Sequence, residues 1–378
     1  MNGRKITSEE AEKSLLKAPE KAQRGDRLNF EDGLALYNCR DIWRLGRLAE
    51  QITFDRVGRN VYYSINRHIN YTNICRINCR FCGFSRRPGQ ADGYVLSVEE
   101  VAEQARQAHQ QGATEVHIVG GVHPELPFNY YRLIVEEIRR ACPKLHIKAF
   151  TAVEIIDMAQ KADLSMDEIL MQLQEAGLGS LPGGGAEILS EEYFRRACPD
   201  KPGPEKWLAV HAAAHRRGLM TNATMLYGYI ESPAERIEHL IKLRKLQDES
   251  LRNGKGRFQC FVPLPFIRPH EKPGEPSPAT PDDDSTDVLT DLKTIAISRL
   301  MLDNIDHVKA FWPMLGVKLA QIALCFGAND LDGTVQQYRI VEKNRDNTTN
   351  SLSAEQIRAL ISETGRTPVR RDAFYRPI

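Results

Sequence analysis

Three cysteines, Cys75, Cys79 and Cys82, stand in a C-x3-C-x2-C spacing inside NICRINCRFCGFSRR (73–87), a stretch that also holds four arginines. Thiols this close on one loop form a metal-binding set, and three are one short of the closed tetrahedral sites that hold structural zinc. Four-iron four-sulfur clusters ordinarily take four cysteines, so three protein ligands leave one iron open to a small molecule. A zinc site and a chance cluster are the alternatives. The other five cysteines, Cys39, Cys142, Cys198, Cys260 and Cys325, are scattered singly and read as reduced, mostly buried small hydrophobes. Eight cysteines in 378 residues are too sparse for a disulfide scaffold.

A chemical loop needs rigid elements beneath it. From about residue 60 to residue 328, apolar stretches with strand character alternate with helical ones, the βαβ pattern of a parallel sheet. Candidate strands are 61–72, 114–121, 145–152, 177–184, 219–228, 257–264, 307–312 and 322–330. Eight such units predict an α/β fold, a full or slightly opened (β/α)8 TIM-type barrel, with the cysteines on the loop leaving its first strand. Helix starts are signposted by the capping pairs Ser97 with Glu100, Ser165 with Glu168, and Ser232 with Glu235 behind Pro233. The expected organisation is an N-terminal helical extension (1–60), the barrel (61–330) and a C-terminal extension packing on it (331–378). One composition break, RPHEKPGEPSPATPDDDST (268–286), is dense in proline and acid and reads as a long loop after the sixth strand, carrying Arg268 and His270.

Charge narrows the partners. Lys plus Arg is 51 against 50 Asp plus Glu, a formal charge of +1, so no global field marks nucleic acid or an anionic membrane. No window approaches the roughly 18 consecutive apolar residues of a membrane span, and the polar start lacks a signal-peptide core. Small-molecule chemistry in the cytoplasm is the expectation. HAAAH (211–215) places His211 and His215 one helical turn apart, a spacing that can clasp a metal, but no glutamate or third ligand accompanies them. They read as structural or surface histidines. Arg86 and Arg87 face the cofactor or a reductant, or belong to a plain solvated loop.

With aromatic Phe81 just before its last cysteine, Cys75-x3-Cys79-x2-Cys82 after a first barrel strand resembles the cluster motif of the radical SAM superfamily. The resemblance implies a four-iron four-sulfur (4Fe-4S) cluster on Cys75, Cys79 and Cys82. S-adenosylmethionine (SAM) would bind the open iron through its amino and carboxylate groups, and one electron would split its carbon–sulfur bond. VGGVHP (119–124) resembles the turn that holds the methionine amino group, making Gly120 and Gly121 cofactor contacts. Glu154 and the backbone of Gly183, Gly184 and Gly185 would face the same cavity.

The resemblance covers nearly the whole chain, from LNFEDGLALY (28–37) to GRTPVRRDAFY (365–375). NRHINYTNIC (66–75), GGVHPELPFNYY (120–131), KAFTAVEI (148–155), LPGGGAEIL (181–189), TNATMLYGYIESPAER (221–236) and FGANDLDGTV (326–335) are similar to the aminodeoxyfutalosine synthases of the futalosine route to menaquinone. Dehypoxanthine futalosine cyclases and deazaflavin (FO) synthase subunits are close relatives. KAFTAVEI favours synthase over cyclase, and the triple glycine favours the menaquinone pair over the deazaflavin branch. The synthase reaction would add the 5′-deoxyadenosyl radical to 3-[(1-carboxyvinyl)oxy]benzoate, with loss of a carboxylate and SAM consumed as co-substrate. A dianionic substrate in a water-poor barrel needs cationic or dipolar partners. Arg67, His68, His123 and Lys148 are therefore the substrate-binding candidates, and His68, Lys148 and His307 the catalytic ones. A one-electron reductant such as flavodoxin or ferredoxin is implied. The rival of another class, a non-catalytic iron-sulfur electron carrier, would need a fourth cysteine near the first three.

Overall fold

The computed structural model describes residues 17–77, 79–268, 286–335, 340 and 351–378. His270 and nearly all of the segment 268–286 lie outside the described residues. Seven strands form one all-parallel sheet in sequence order: β2 (Asn66–Ile69), β3 (Glu115–Ile118), β4 (His146–Ala149), β5 (Ser180–Leu181), β6 (Met220–Tyr227), β7 (Phe258–Pro265) and β8 (His307–Val308). The sheet curls, with helices on its outer face, giving the expected α/β barrel architecture with seven strands in the main sheet instead of eight.

The eighth candidate, 322–330, is mostly helical: a helix (Val317–Ala323) runs into a 3-10 turn (Leu324–Phe326), and the strand β9 begins only at Asp330 (Asp330–Gly333). β9 joins a second sheet. There β1 (Asn60–Ser64), the first half of the expected first strand, lies parallel between β9 and the C-terminal β10 (Thr367–Arg370). The two sheets adjoin where β1 runs through Ile65 into β2 and where Lys309 bridges to Asp330. Both expected domain boundaries, 60/61 and 330/331, fall inside strands of this second sheet.

All three anticipated capping boxes form, at the helices Val98–Gln110, Met166–Ala176 and Pro233–Asn253, the last with Pro233 in its first turn. Each satisfies amide donors that a helix start otherwise leaves bare. The N-terminal helices Phe30–Tyr37 and Ile42–Val57 lie on the outside against Val288–Met301, where Lys293 donates to the Tyr37 carbonyl (3.0 Å). Helix Pro204–Arg216 carries both HAAAH histidines inward. His215 bonds Ser250 Oγ (2.6 Å) and Thr221 Oγ1 (2.8 Å), and the His211 ring lies 3.9 Å from that of Trp207, so both are structural.

The C-terminal tail closes the end of the barrel where the strands begin. Tyr375 stacks on His307, the first residue of β8 (3.7 Å), and Phe374 meets His146, the first residue of β4 (5.0 Å). Gln259 near the start of β7 donates to the Ala373 carbonyl (3.0 Å). The opposite end, where the strands finish, is the one at which barrel enzymes generally keep their chemistry.

Candidate functional site

At the open end, residues 72–96 leave β2 and fold back on themselves, with a backbone bridge between Ile74 and Arg86 and another between Thr72 and Val95. Within this fold Cys75, Cys79 and Cys82 are all half-buried. The Cys75 sulfur accepts the Val122 amide (3.3 Å), and the Arg80 amide pins the loop to the Ala197 carbonyl (3.0 Å). Burial raises the Cys75 and Cys82 thiols above the ordinary range, and neighbouring cysteine sulfurs add to it, so the three thiols share one electrostatic environment. Among the described residues no three His, Cys, Asp or Glu side chains gather closely enough to hold a single metal ion. Three thiols on one folded loop suit a cubane in their chemistry, since each of its irons takes one thiolate.

Glycines shape this loop from behind. A Cβ on Gly121 would lie 2.3 Å from the Ile74 carbonyl oxygen and 3.1 Å from Cys75 Cβ, and one on Gly120 would lie 2.7 Å from the Tyr71 ring. The close approach that demands glycine is therefore between the β3 turn and the cysteine loop. Of the triple glycine, Gly183 is backed by the β6 backbone at Ala223 (2.8 Å), Gly184 approaches only Thr151 Cγ2 (3.1 Å), and Gly185 has a left-handed φ of +91°.

Glu154, expected to face the cofactor, is held by protein groups on both of its oxygens. It is the capping-box residue of helix Ala152–Ala162, with one oxygen taking the Thr151 amide (2.8 Å) and hydroxyl (2.6 Å). The other accepts from Tyr71 (2.5 Å) and the Gly120 amide (3.2 Å). Burial pushes its pKa up to about 7 even against these donors. It ties the ends of β2, β3 and β4 together.

Within the barrel, parallel register sets His68, His117, Lys148 and Ser180 side by side on β2 to β5. The His68 and His117 rings lie 4.5 Å apart, and burial holds both neutral, His68 down to about 4. Lys148 donates to Glu115 (3.1 Å). Glu115 also accepts from Ser64 (3.2 Å) and lies 3.8 Å from Arg371. Burial alone would raise the Glu115 pKa, but Lys148, Arg371 and Lys309 together hold it well below the usual range. Below, Arg371 pairs with Asp330 (3.0 Å) and Lys309 with Asp332, whose φ of +64° is left-handed. Three cations thus face three carboxylates.

The remaining candidates diverge. Arg67 points outward, its guanidinium 3.4 Å from Gln107 on the helix Val98–Gln110, because neighbouring strand residues alternate faces. His123 sits at the open end but closes a turn, its Nδ1 accepting the Glu125 (3.0 Å) and Leu126 (3.3 Å) amides. His307 is in the floor, between Tyr375 and Tyr62 with Asn329 at 3.0 Å, away from the cysteine end. The structure therefore brings together only His68 and Lys148 of that set, and adds His117, Glu115, Lys309, Asp330, Asp332 and Arg371. It also sets buried Cys198 against Cys79, whose thiol is raised first by a bond to Cys198 and then by burial. Lys201 stands beside them, paired with Glu187 (2.5 Å) and 5.4 Å from the Phe81 ring.

A family model described as the Radical SAM superfamily matches residues 69–243, and one described as the CofH/MqnC C-terminal region matches 258–378. The chain is 41% identical to an aminodeoxyfutalosine synthase of Streptomyces coelicolor, over 94% of this chain and 92% of that one. It is 39% identical to the Thermus thermophilus aminodeoxyfutalosine synthase, over 96% of each. A 5-amino-6-(D-ribitylamino)uracil–L-tyrosine 4-hydroxyphenyl transferase of Methanopyrus kandleri is 38% identical over 91% of each. Among solved structures, methylornithine synthase superposes with a TM-score of 0.72 at 18% identity, over 93% of this chain and 97% of that one, a likeness of fold.

Proposed function

Because this chain belongs to the radical SAM superfamily, in the group that unites aminodeoxyfutalosine synthases with the hydroxyphenyl transferases, we propose that it is an enzyme making 6-amino-6-deoxyfutalosine. It joins the 5′-deoxyadenosyl part of SAM to 3-[(1-carboxyvinyl)oxy]benzoate, releasing methionine and the lost carboxylate as bicarbonate, a step of menaquinone biosynthesis. The observation that carries this reading is the 39 to 41% identity to two aminodeoxyfutalosine synthases over nearly the full length of both chains.

Cys75, Cys79 and Cys82 would hold the 4Fe-4S cluster, which with SAM on its open iron supplies one-electron cleavage of the carbon–sulfur bond. The chain's own part is to position and shield. Gly121 lets the cysteine loop seat against the β3 turn, and Glu154 fixes the Gly120 amide and the Tyr71 hydroxyl beside it. Lys148 anchors a substrate carboxylate. Its ammonium has three protons, and Glu115, which it contacts, is also served by Ser64 and lies near Arg371, leaving Lys148 donors for an incoming anion. His68 and His117, kept neutral by burial, offer ring N–H groups on the same row without adding charge. The floor of Arg371, Tyr375 and His307 excludes water from below.

No helix among the described residues is long and apolar enough to cross a membrane, in keeping with a cytoplasmic enzyme. A flavodoxin or ferredoxin would supply the electron. The test is product mass spectrometry after anaerobic reconstitution with SAM and the enol-ether benzoate. Aminodeoxyfutalosine is expected; its absence from a cluster-loaded, SAM-cleaving preparation would refute the assignment.

A further inference from the structure

The loop that carries the cysteines concentrates positive charge in an otherwise balanced chain. Residues 75–89, CRINCRFCGFSRRPG, hold Arg76, Arg80, Arg86 and Arg87 and no acid. With a formal charge of +1 for the whole chain against +4 here, the remainder carries −3.

The structure shows how much of that charge survives pairing. Arg86 is matched by Asp92 (2.5 Å). Arg76 and Lys161 share one buried carboxylate, Asp157, at 2.9 and 2.7 Å, which leaves a net positive charge. Arg80 and Arg87 are exposed, and among the described residues no carboxylate pairs with either; Arg87 reaches only the Arg76 carbonyl (3.3 Å). The adjoining helix Glu191–Ala197 adds none, since Arg195 and Arg196 are offset by Glu191 and Glu192. A net charge of about +3 therefore surrounds three half-buried cysteines, with Arg80 lying between two of them in sequence. Like charges held together at a surface are unfavourable for the isolated fold and are relieved by an opposite surface.

We infer that the arginine rim formed by Arg76, Arg80 and Arg87 is the docking surface for an acidic one-electron carrier protein, which delivers its electron to the cluster through the loop it covers. This rests on the assignment of the cysteines to a redox cluster. One electron leaves the reduced carrier and enters the oxidised cluster, and no bond forms or breaks between the proteins. Charges at a rim act mainly on the association rate, by steering, and that rate falls with ionic strength. Coupling the exposed arginines to the cysteine loop places the steering charge directly over the electron's entry point.

The test uses reconstituted holoenzyme and stopped-flow reduction of the cluster by reduced flavodoxin, with reduced methyl viologen, a small cation, as the non-docking reductant. Arg80→Glu combined with Arg87→Glu should slow the flavodoxin reaction by roughly ten-fold at low salt and flatten its salt dependence. Reduction by methyl viologen, iron content and the electron paramagnetic resonance signal should stay at wild-type values. Arg252→Glu, the same charge change at the far end of the helix Pro233–Asn253, should leave the flavodoxin rate unaltered. Equal flavodoxin rates and salt slopes in wild type and the double variant would overturn the proposal, as would an equal loss in Arg252→Glu. If the double variant loads less iron, Arg87→Gln decides by the same two readouts. Failure of the cluster assignment shows separately, as a wild-type protein without a reducible cluster under either reductant.

Discussion

The two ends of the barrel are built on opposite plans. At the open end the functional side chains come from one short loop, half-buried, and their geometry is set by backbone approaches such as Gly121 against Ile74. At the floor, a charged network of Glu115, Lys148, Lys309, Asp330, Asp332 and Arg371 is assembled from five separate places in the chain and is almost fully buried. The first end can be dismantled by a single substitution without unfolding the protein. The second is coupled to stability, because removing one of its charges leaves a buried partner less well paired. The proposed cluster ligands thus belong to a local motif, while the buried charges of the barrel are a tertiary product of the whole fold.

The sharpest way to separate the two ends is to remove cluster ligands. Cys75→Ala, Cys79→Ala or Cys82→Ala should each abolish iron binding and SAM cleavage while leaving the thermal midpoint of the apoprotein near wild type. Cys198→Ala and Cys142→Ala should keep about four irons, as measured by iron analysis of reconstituted protein. Loss of the cluster in Cys198→Ala would make Cys198 a fourth ligand and favour the electron-carrier reading.

The floor should answer in stability instead. Arg371→Met leaves Asp330 buried without its close guanidinium partner and should cost about 3–5 kcal/mol in chemical denaturation. An effect under about 1 kcal/mol would mean that Lys309 alone carries the carboxylate. Between the ends, Lys148→Met should lower kcat/KM by about 2–3 kcal/mol with iron content unchanged. His307→Gln should leave kcat/KM within a few-fold and act on stability, since His307 packs in the floor. Turnover unaffected in Lys148→Met would move the carboxylate anchor elsewhere in the barrel.

The buried imidazoles add a dependence on pH. Burial pushes His68 from an ordinary 6.5 down to about 4, and His307 down to about 3. Between those values the unfolded chain takes up protons that the folded chain refuses, so stability should fall as pH drops from 6.5 towards 4. His68→Gln should shallow that slope in a pH series of denaturation curves, and an unchanged slope would show that His68 charges within the fold.

The same contrast explains what could be read before the structure. The parallel α/β barrel and the Ser-x-x-Glu caps are periodic or local signals, and both carried through. Thr151 and Glu154 form the same local signal, a cap that is legible in the sequence. The eighth strand failed because an apolar stretch such as IALCF fits a buried helix as well as a strand. Alternation along β2 sends Arg67 out and His68 in, but a four-residue strand buried on both faces carries no polarity pattern to say which. Lys309, Asp332 and Arg371 meet only through tertiary folding, and no spacing announces them.

In the proposed reaction the adenosyl group of SAM ends up bonded to the substrate. SAM labelled with carbon-13 at its 5′ carbon, supplied with the enol-ether benzoate to the reduced holoenzyme, tests it in one reaction. The label should appear in a product of the mass of 6-amino-6-deoxyfutalosine, retained together with adenine. If the label instead leaves as free 5′-deoxyadenosine, with no adduct formed, the radical abstracts hydrogen and this chain belongs with the cyclases or another hydrogen-abstracting branch of its family.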